Sequence, residues 1–203
     1  MSKMWVTALL CLVSLAYRQD VPSSSPAVKP NQEIRVAHLP RLAARSPDPS
    51  YVLLTSLDII FHDHGVCCAK DSALGDSAAA ADPSSVKDII AKLRARHLFS
   101  DGRPVMISVL DLAPQATRNP GTVVRALTNK RAMLLMWNSH LYVLYGALFD
   151  EAQYADGSLV ESINQLFLLD PRYSDSRREV SFKREKDDWN QVEGLLLLSV
   201  SPQ

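Results

Sequence analysis

Three runs in the second half of the chain leave little freedom in what it can become: Ala132 to Trp137 (AMLLMW), His140 to Phe149 (HLYVLYGALF) and Ile163 to Asp170 (INQLFLLD). Each is apolar or alternating over strand length, and Asp156-Gly157 between the second and third is a strong turn signal. Arg103 to Leu110 (RPVMISVL), Glu179 to Phe182 and Leu195 to Val200 read as further strands. Helical patterning lies mainly before them. Asp82-Pro83-Ser84 opens a helix with Val86, Ile89, Ile90 and Leu93 at helical spacing, and Asn119-Pro120-Gly121 opens another carrying Val123, Val124 and Leu127. The stretch after Cys67 (CAKDSALGDSAAAA) also has helix-forming composition. Helices first and an antiparallel sheet second is an α+β order, not the alternation of a parallel sheet.

Composition narrows the function classes. The 203 residues are 47% hydrophobic, enough for one domain with a proper core, and 22 basic residues balance 22 acidic ones. That balance argues against nucleic acid as a partner. Seven glycines, none in a dinucleotide fingerprint or phosphate loop, make nucleotide chemistry an unfavoured reading, and no cofactor is indicated.

The N-terminus reads as a secretory signal: Lys3, an apolar run from Met4 to Leu12, then Ser14-Leu15-Ala16. The expectation is a signal peptide over 1–16 and an exported protein, periplasmic or secreted, with no stable membrane span once the signal is removed. A Pro/Ser-rich linker is expected over 17–32 and a folded domain over 33–203, as a monomer. The mature chain then keeps two cysteines, Cys67 and Cys68, adjacent in sequence.

Three segments carry candidate chemistry. HDHGVCCAKDSAL (62–74) sets a cysteine before a helical stretch, where free N–H groups and the helix dipole lower a thiol's pKa. NSHLYVLYG (138–146) places His140 at the head of a strong strand. LFLLDPRYS (167–174) closes an apolar strand with Asp170 before Pro171. Antiparallel pairing would bring His140 and Asp170 to one end of the sheet, where an imidazole takes a thiol proton and a carboxylate fixes its tautomer.

The order of cysteine, His heading HLYVLYG, Asp in LLDP, then Trp189 and the terminal GLLLLSV resembles the papain-like cysteine peptidase superfamily. The likeness is greatest to bacterial members related to the double-glycine leader peptidases, and covers roughly residues 55–200. It implies a papain-like fold, with the nucleophile at a helix start and N-terminal helices packed on the C-terminal sheet. It further implies thiol-dependent hydrolysis of a peptide or protein substrate, with Cys67 as nucleophile, His140 as general base and Asp170 as its orienter. Cys68 is the alternative nucleophile or its support, and Trp137 or Asn138 would line the site. Relatives place a glutamine before the cysteine to help form the oxyanion hole, but residues 51–66 contain neither Gln nor Asn. His62 and His64 are then the candidate oxyanion donors. Losing one such donor costs on the order of 10²- to 10³-fold in rate.

Two other readings stand beside this one. A papain-like scaffold without turnover would bind a peptide or wall component in the same groove. His62, His64, Cys67 and Cys68 could instead hold zinc or copper, although their spacing matches no standard finger. Read on its own, Asp170 before Pro171 is an ordinary turn opening, and SDSRREVSFKREKDD (174–188) is a solvated loop and edge strand.

Overall fold

The computed structural model describes residues 25–36, 49–63, 85–94, 96–98, 104–173, 177–181 and 188–202. In chain order these form β1 (Ala27–Arg35), α1 (Pro49–Asp63), α2 (Val86–Leu93), β2 (Arg96–Leu98), β3 (Pro104–Asp111), α3 (Ala113–Ala116), α4 (Gly121–Thr128), β4 (Met133–Trp137), β5 (His140–Gln153), β6 (Leu159–Leu169), β7 (Arg177–Ser181), a 3-10 turn (Asp188–Gln191) and β8 (Val192–Pro202). The strands make one sheet in the order β2-β3-β8-β4-β5-β6-β7, with β1 also on β5, and every pairing is antiparallel. The α+β class and the antiparallel sheet expected from the strand runs are both present.

β5 is the axis of the sheet. Residues Leu141 to Ala147 are all buried, so this strand is covered on both faces. Its 14 residues are long enough for two different strands to share one edge. β4 pairs along His140 to Leu144, and β1 takes over from Gly146 to Gln153. The hand-over is stitched by Val36 N–H donating to the Tyr145 carbonyl at 2.7 Å. At that crossing a Cβ on Gly146 would lie 2.6 Å from the Ile34 carbonyl oxygen and 2.8 Å from Phe167 Cδ2, so only glycine lets β1 approach.

β1 begins at Ala27, inside the stretch 17–32 expected to be linker. Proline does not break the strand because Pro30 falls in a bulge, where the pairing shifts between Lys29 and Gln32 and a missing N–H is tolerated. Asn31 adopts φ 54° there and donates its N–H to Asp150 Oδ1 at 2.9 Å. The same oxygen accepts Asn164 Nδ2 at 2.9 Å, and Asn164 is itself the extra residue of a bulge in β6. One buried carboxylate thus ties two bulges on opposite edges of β5.

The helices pack on this sheet: α1 on β5, α2 on β3, α3 on β8, and α4 on β1, β5 and β6. α2 starts as its sequence dictates, with Ser85 Oγ accepting Asp88 N–H at 3.2 Å, and buries Ile89 and Leu93. α1 is a different case. Val52 to Leu57 are buried without interruption, as are Ile59 to Phe61, so the helix is enclosed on all sides. Its buried Ser56 hydroxyl is satisfied by donating to the Val52 carbonyl at 2.8 Å. Among the described residues, no helix is long and apolar enough to cross a membrane.

Candidate functional site

The end of the sheet where β4 turns into β5 and where β6 stops carries the two candidates that the structure describes. β4 and β5 are joined by Asn138 and Ser139, with φ values of 50° and 57°, the left-handed pair of a type I′ hairpin turn. Asn is at home in that conformation, whereas Ser is not, and Ser139 is held by its surroundings. Its N–H donates to Glu193 Oε1 at 2.7 Å and its hydroxyl contacts the same oxygen at 3.3 Å. Trp137 Nε1 donates to Gln191 Oε1 at 3.2 Å, so the start of β8 clamps both sides of the turn.

His140 follows directly and is exposed. Its Nδ1 lies 3.0 Å from the carbonyl oxygen of Ser139, a contact that suits a proton on Nδ1. The ring meets Tyr142 edge-on, with centroids 6.5 Å apart.

Asp170 lies at the same end. Val143 pairs with Leu169, so one further step sets Tyr142 opposite Asp170, with His140 two residues along on the same face. His140 and Asp170 are diagonal neighbours, with backbones about 7–8 Å apart, and no hydrogen bond joins their side chains. The carboxylate is engaged elsewhere. Asp170 is fully buried and accepts Arg172 Nε on Oδ1 at 2.9 Å and Arg172 Nη2 on Oδ2 at 2.6 Å. The Arg172 N–H adds a third bond to Oδ1 at 3.1 Å, and Tyr173 N–H returns to the Asp170 carbonyl at 3.3 Å. Asp170 therefore opens a tight turn around Pro171 and neutralises a guanidinium two residues on. Burial alone would raise its pKa, but the hydrogen bonds and charge of Arg172, with the charge of Arg178, hold it below the usual carboxylate range. The bond to Asp170 in turn raises the pKa of Arg172.

Arg178 on β7 is the second cation at this end. Its Nε is 4.0 Å from Asp170 Oδ2 and its Nη1 is 3.5 Å from the hydroxyl of buried Tyr142. The Tyr173 ring is exposed, with the Arg172 guanidinium 5.7 Å from its centre.

Of the residues expected at an active site, the structure brings His140 and Asp170 to one end and one face without joining them. Trp137 and Asn138, expected to line the site, sit in the β4 end and the turn that lead into His140. His62 is exposed in the last turn of α1, the carbonyl end of a helix, which favours cations and not an oxyanion. His64, Cys67 and Cys68 lie outside the described residues. Among the described residues, no group of three or more His, Cys, Asp or Glu side chains could hold a metal ion. Sequence reasoning missed Arg172, Arg178, Gln191 and Glu193. The two arginines sit in runs that read as turn and solvated strand, and Gln191 and Glu193 gain meaning only from the pairing of β8 with β4.

No protein-family model, no curated protein and no solved structure matches this chain.

Proposed function

We propose that the chain is a papain-like scaffold that binds an extended peptide at the His140–Asp170 end of its sheet and does not hydrolyse it. The observation that carries this reading is the commitment of the Asp170 carboxylate to Arg172 on both oxygens, with no hydrogen bond to His140. Two further features support it. The enclosed helix that packs on β5 runs from Pro49 to Asp63 without a cysteine, and the segment before Cys67 lacks the oxyanion glutamine. The exposed His140 and Tyr173 and the half-buried Trp137 then serve as contact groups for the peptide. The export signal read in residues 1–16 belongs to the same proposal, and the intact mass of the exported protein would lack those residues.

One observation favours the alternative, thiol-dependent hydrolysis with Cys67 or Cys68 as nucleophile and His140 as base. The Ser139 carbonyl lies 3.0 Å from His140 Nδ1, where it can orient the ring in place of a carboxylate. The deciding experiment is the pH dependence of iodoacetamide labelling, located by mass spectrometry to Cys67 or Cys68, in the wild type and in His140→Ala. The binding reading expects labelling to rise only near the ordinary thiol pKa of about 8.5, equally in both proteins, with no peptide cleavage. Labelling near pH 5 at one cysteine, lost in His140→Ala, would overturn it and establish the activated pair.

A further inference from the structure

We infer that Arg178 is the recognition group for a carboxylate on the bound peptide, a conclusion that rests on the binding reading and names its ligand chemistry. The cluster beneath the proposed groove holds one carboxylate and two guanidiniums. Arg172 takes both oxygens of Asp170 with short, paired bonds, and that pair is complete. Arg178 is left with a 4.0 Å approach to Asp170 and a 3.5 Å contact to the Tyr142 hydroxyl, both longer than a good hydrogen bond. A guanidinium carries five donors in a planar fork, and the Arg178 side chain is 51% exposed, so most of that fork faces solvent.

Its position suits the role. Leu168 pairs with Arg178 and Leu144 with Leu168, which places Arg178 on the sheet face shared by His140, Tyr142 and Asp170. The neighbouring acid, Glu179, alternates to the other face and is already bonded to Gln165 Nε2 at 2.8 Å. Tyr142 and Asp170 brace the near side of the guanidinium without neutralising it a second time. The result is one net positive charge, anchored on a buried base at the end of the sheet where the exposed His140 also lies. Such a site fits a planar anion of carboxylate shape, from a peptide C-terminus or from an acidic side chain.

The test is calorimetric titration of the full chain with three N-acetylated peptides of one backbone sequence: a free acid, its C-terminal amide, and the amide carrying one internal Glu. The free acid is expected to bind about tenfold tighter than the plain amide, as a charge-assisted hydrogen bond would give. Whether the Glu-containing amide matches the acid or the plain amide separates side-chain from terminal recognition. In Arg178→Gln, with an unchanged fold checked by circular dichroism, the preference is expected to vanish, and Arg178→Lys is expected to restore part of it. Equal binding of acid and both amides, or a preference that survives Arg178→Gln, would overturn the inference while leaving peptide binding intact. Failure of all three peptides to bind would overturn both. Cleavage of the peptides would overturn only the claim that the scaffold lacks turnover.

Discussion

Replacing Arg172 by Leu isolates the ionic turn that closes β6. The substitution removes the Nε and Nη2 contacts at 2.9 and 2.6 Å while sparing the backbone N–H at 3.1 Å. Asp170 is fully buried, so its charge cannot recover water when its partner leaves. Removing one partner of a buried pair costs about 3–5 kcal/mol. The lower end applies here, about 3 kcal/mol, because the backbone bond and the Arg178 charge remain on the carboxylate. For a chain of this size that is a fall in Tm of roughly 6–12 °C. The pH dependence follows from the sign of the shift. In the wild type the folded carboxyl titrates below its unfolded value, so the pair's stability is present above the ordinary Asp range and is lost as pH falls through the folded pKa. In Arg172→Leu the side-chain hydrogen bonds and charge that lower the pKa are gone while burial, which raises it, stays, so the folded carboxyl titrates higher than in the wild type and protonation costs the variant less. The gap between the two proteins should therefore be largest at pH 7 and narrow steadily toward pH 4. Urea denaturation of both at pH 7, 5.5 and 4 measures it. A gap below about 0.5 kcal/mol at pH 7, or one that stays constant with pH, would refute the assignment of Arg172 as the compensating charge.

Other expectations follow from single contacts. Asp170→Asn should cost less than Arg172→Leu, about 1–2 kcal/mol, because a neutral amide replaces the charge and Arg172 can turn to solvent; denaturation midpoints compare the two directly. Gly146→Ala sets a methyl 2.6 Å from the Ile34 carbonyl in a paired strand, so a loss of about 2–3 kcal/mol is expected by chemical denaturation. Ser139→Gly relieves a left-handed residue at φ 57° while keeping the N–H bond to Glu193, and a gain of about 0.5 kcal/mol should appear as a higher midpoint. Asp150→Ala leaves the Asn31 N–H and the Asn164 amide without their shared acceptor, an expected loss of about 2 kcal/mol with faster amide exchange at Asn31.

The sheet was legible because its strands announce themselves. Met133 to Trp137, His140 onward and Ile163 to Leu169 are short apolar runs, and Gly157 takes φ 81° where the Asp-Gly signal set the turn. α1 was not legible for the same physical reason that makes it central. A helix enclosed on every side has no polar face, so Val52 to Phe61 shows no 3.6-residue period to read. β1 was obscured by Pro30, whose meaning reverses once a bulge receives it. At the site, strand ends were enough to bring His140 and Asp170 to one edge. What they could not show was competition for the carboxylate, since a turn that folds Arg172 back on Asp170 is a local event decided after the sheet is built.

The two-strand edge of β5 has a consequence for how the molecule is assembled in time. Lys29 meets Glu151 across 122 residues of chain, so β1, made before the other described strands, waits for its partner until β5 is complete. Until β1 arrives, the edge from Gly146 to Gln153 is an open template of unpaired N–H and C=O groups. Closing so long a loop is slow, and the exposed edge is an opening for pairing with a neighbouring chain. The same arrangement makes β1 a detachable part. A chain beginning after Val36, supplied in trans with a peptide spanning residues 25–36, holds every pairing of the native sheet, and the Gly146 crossing sets where that peptide must dock.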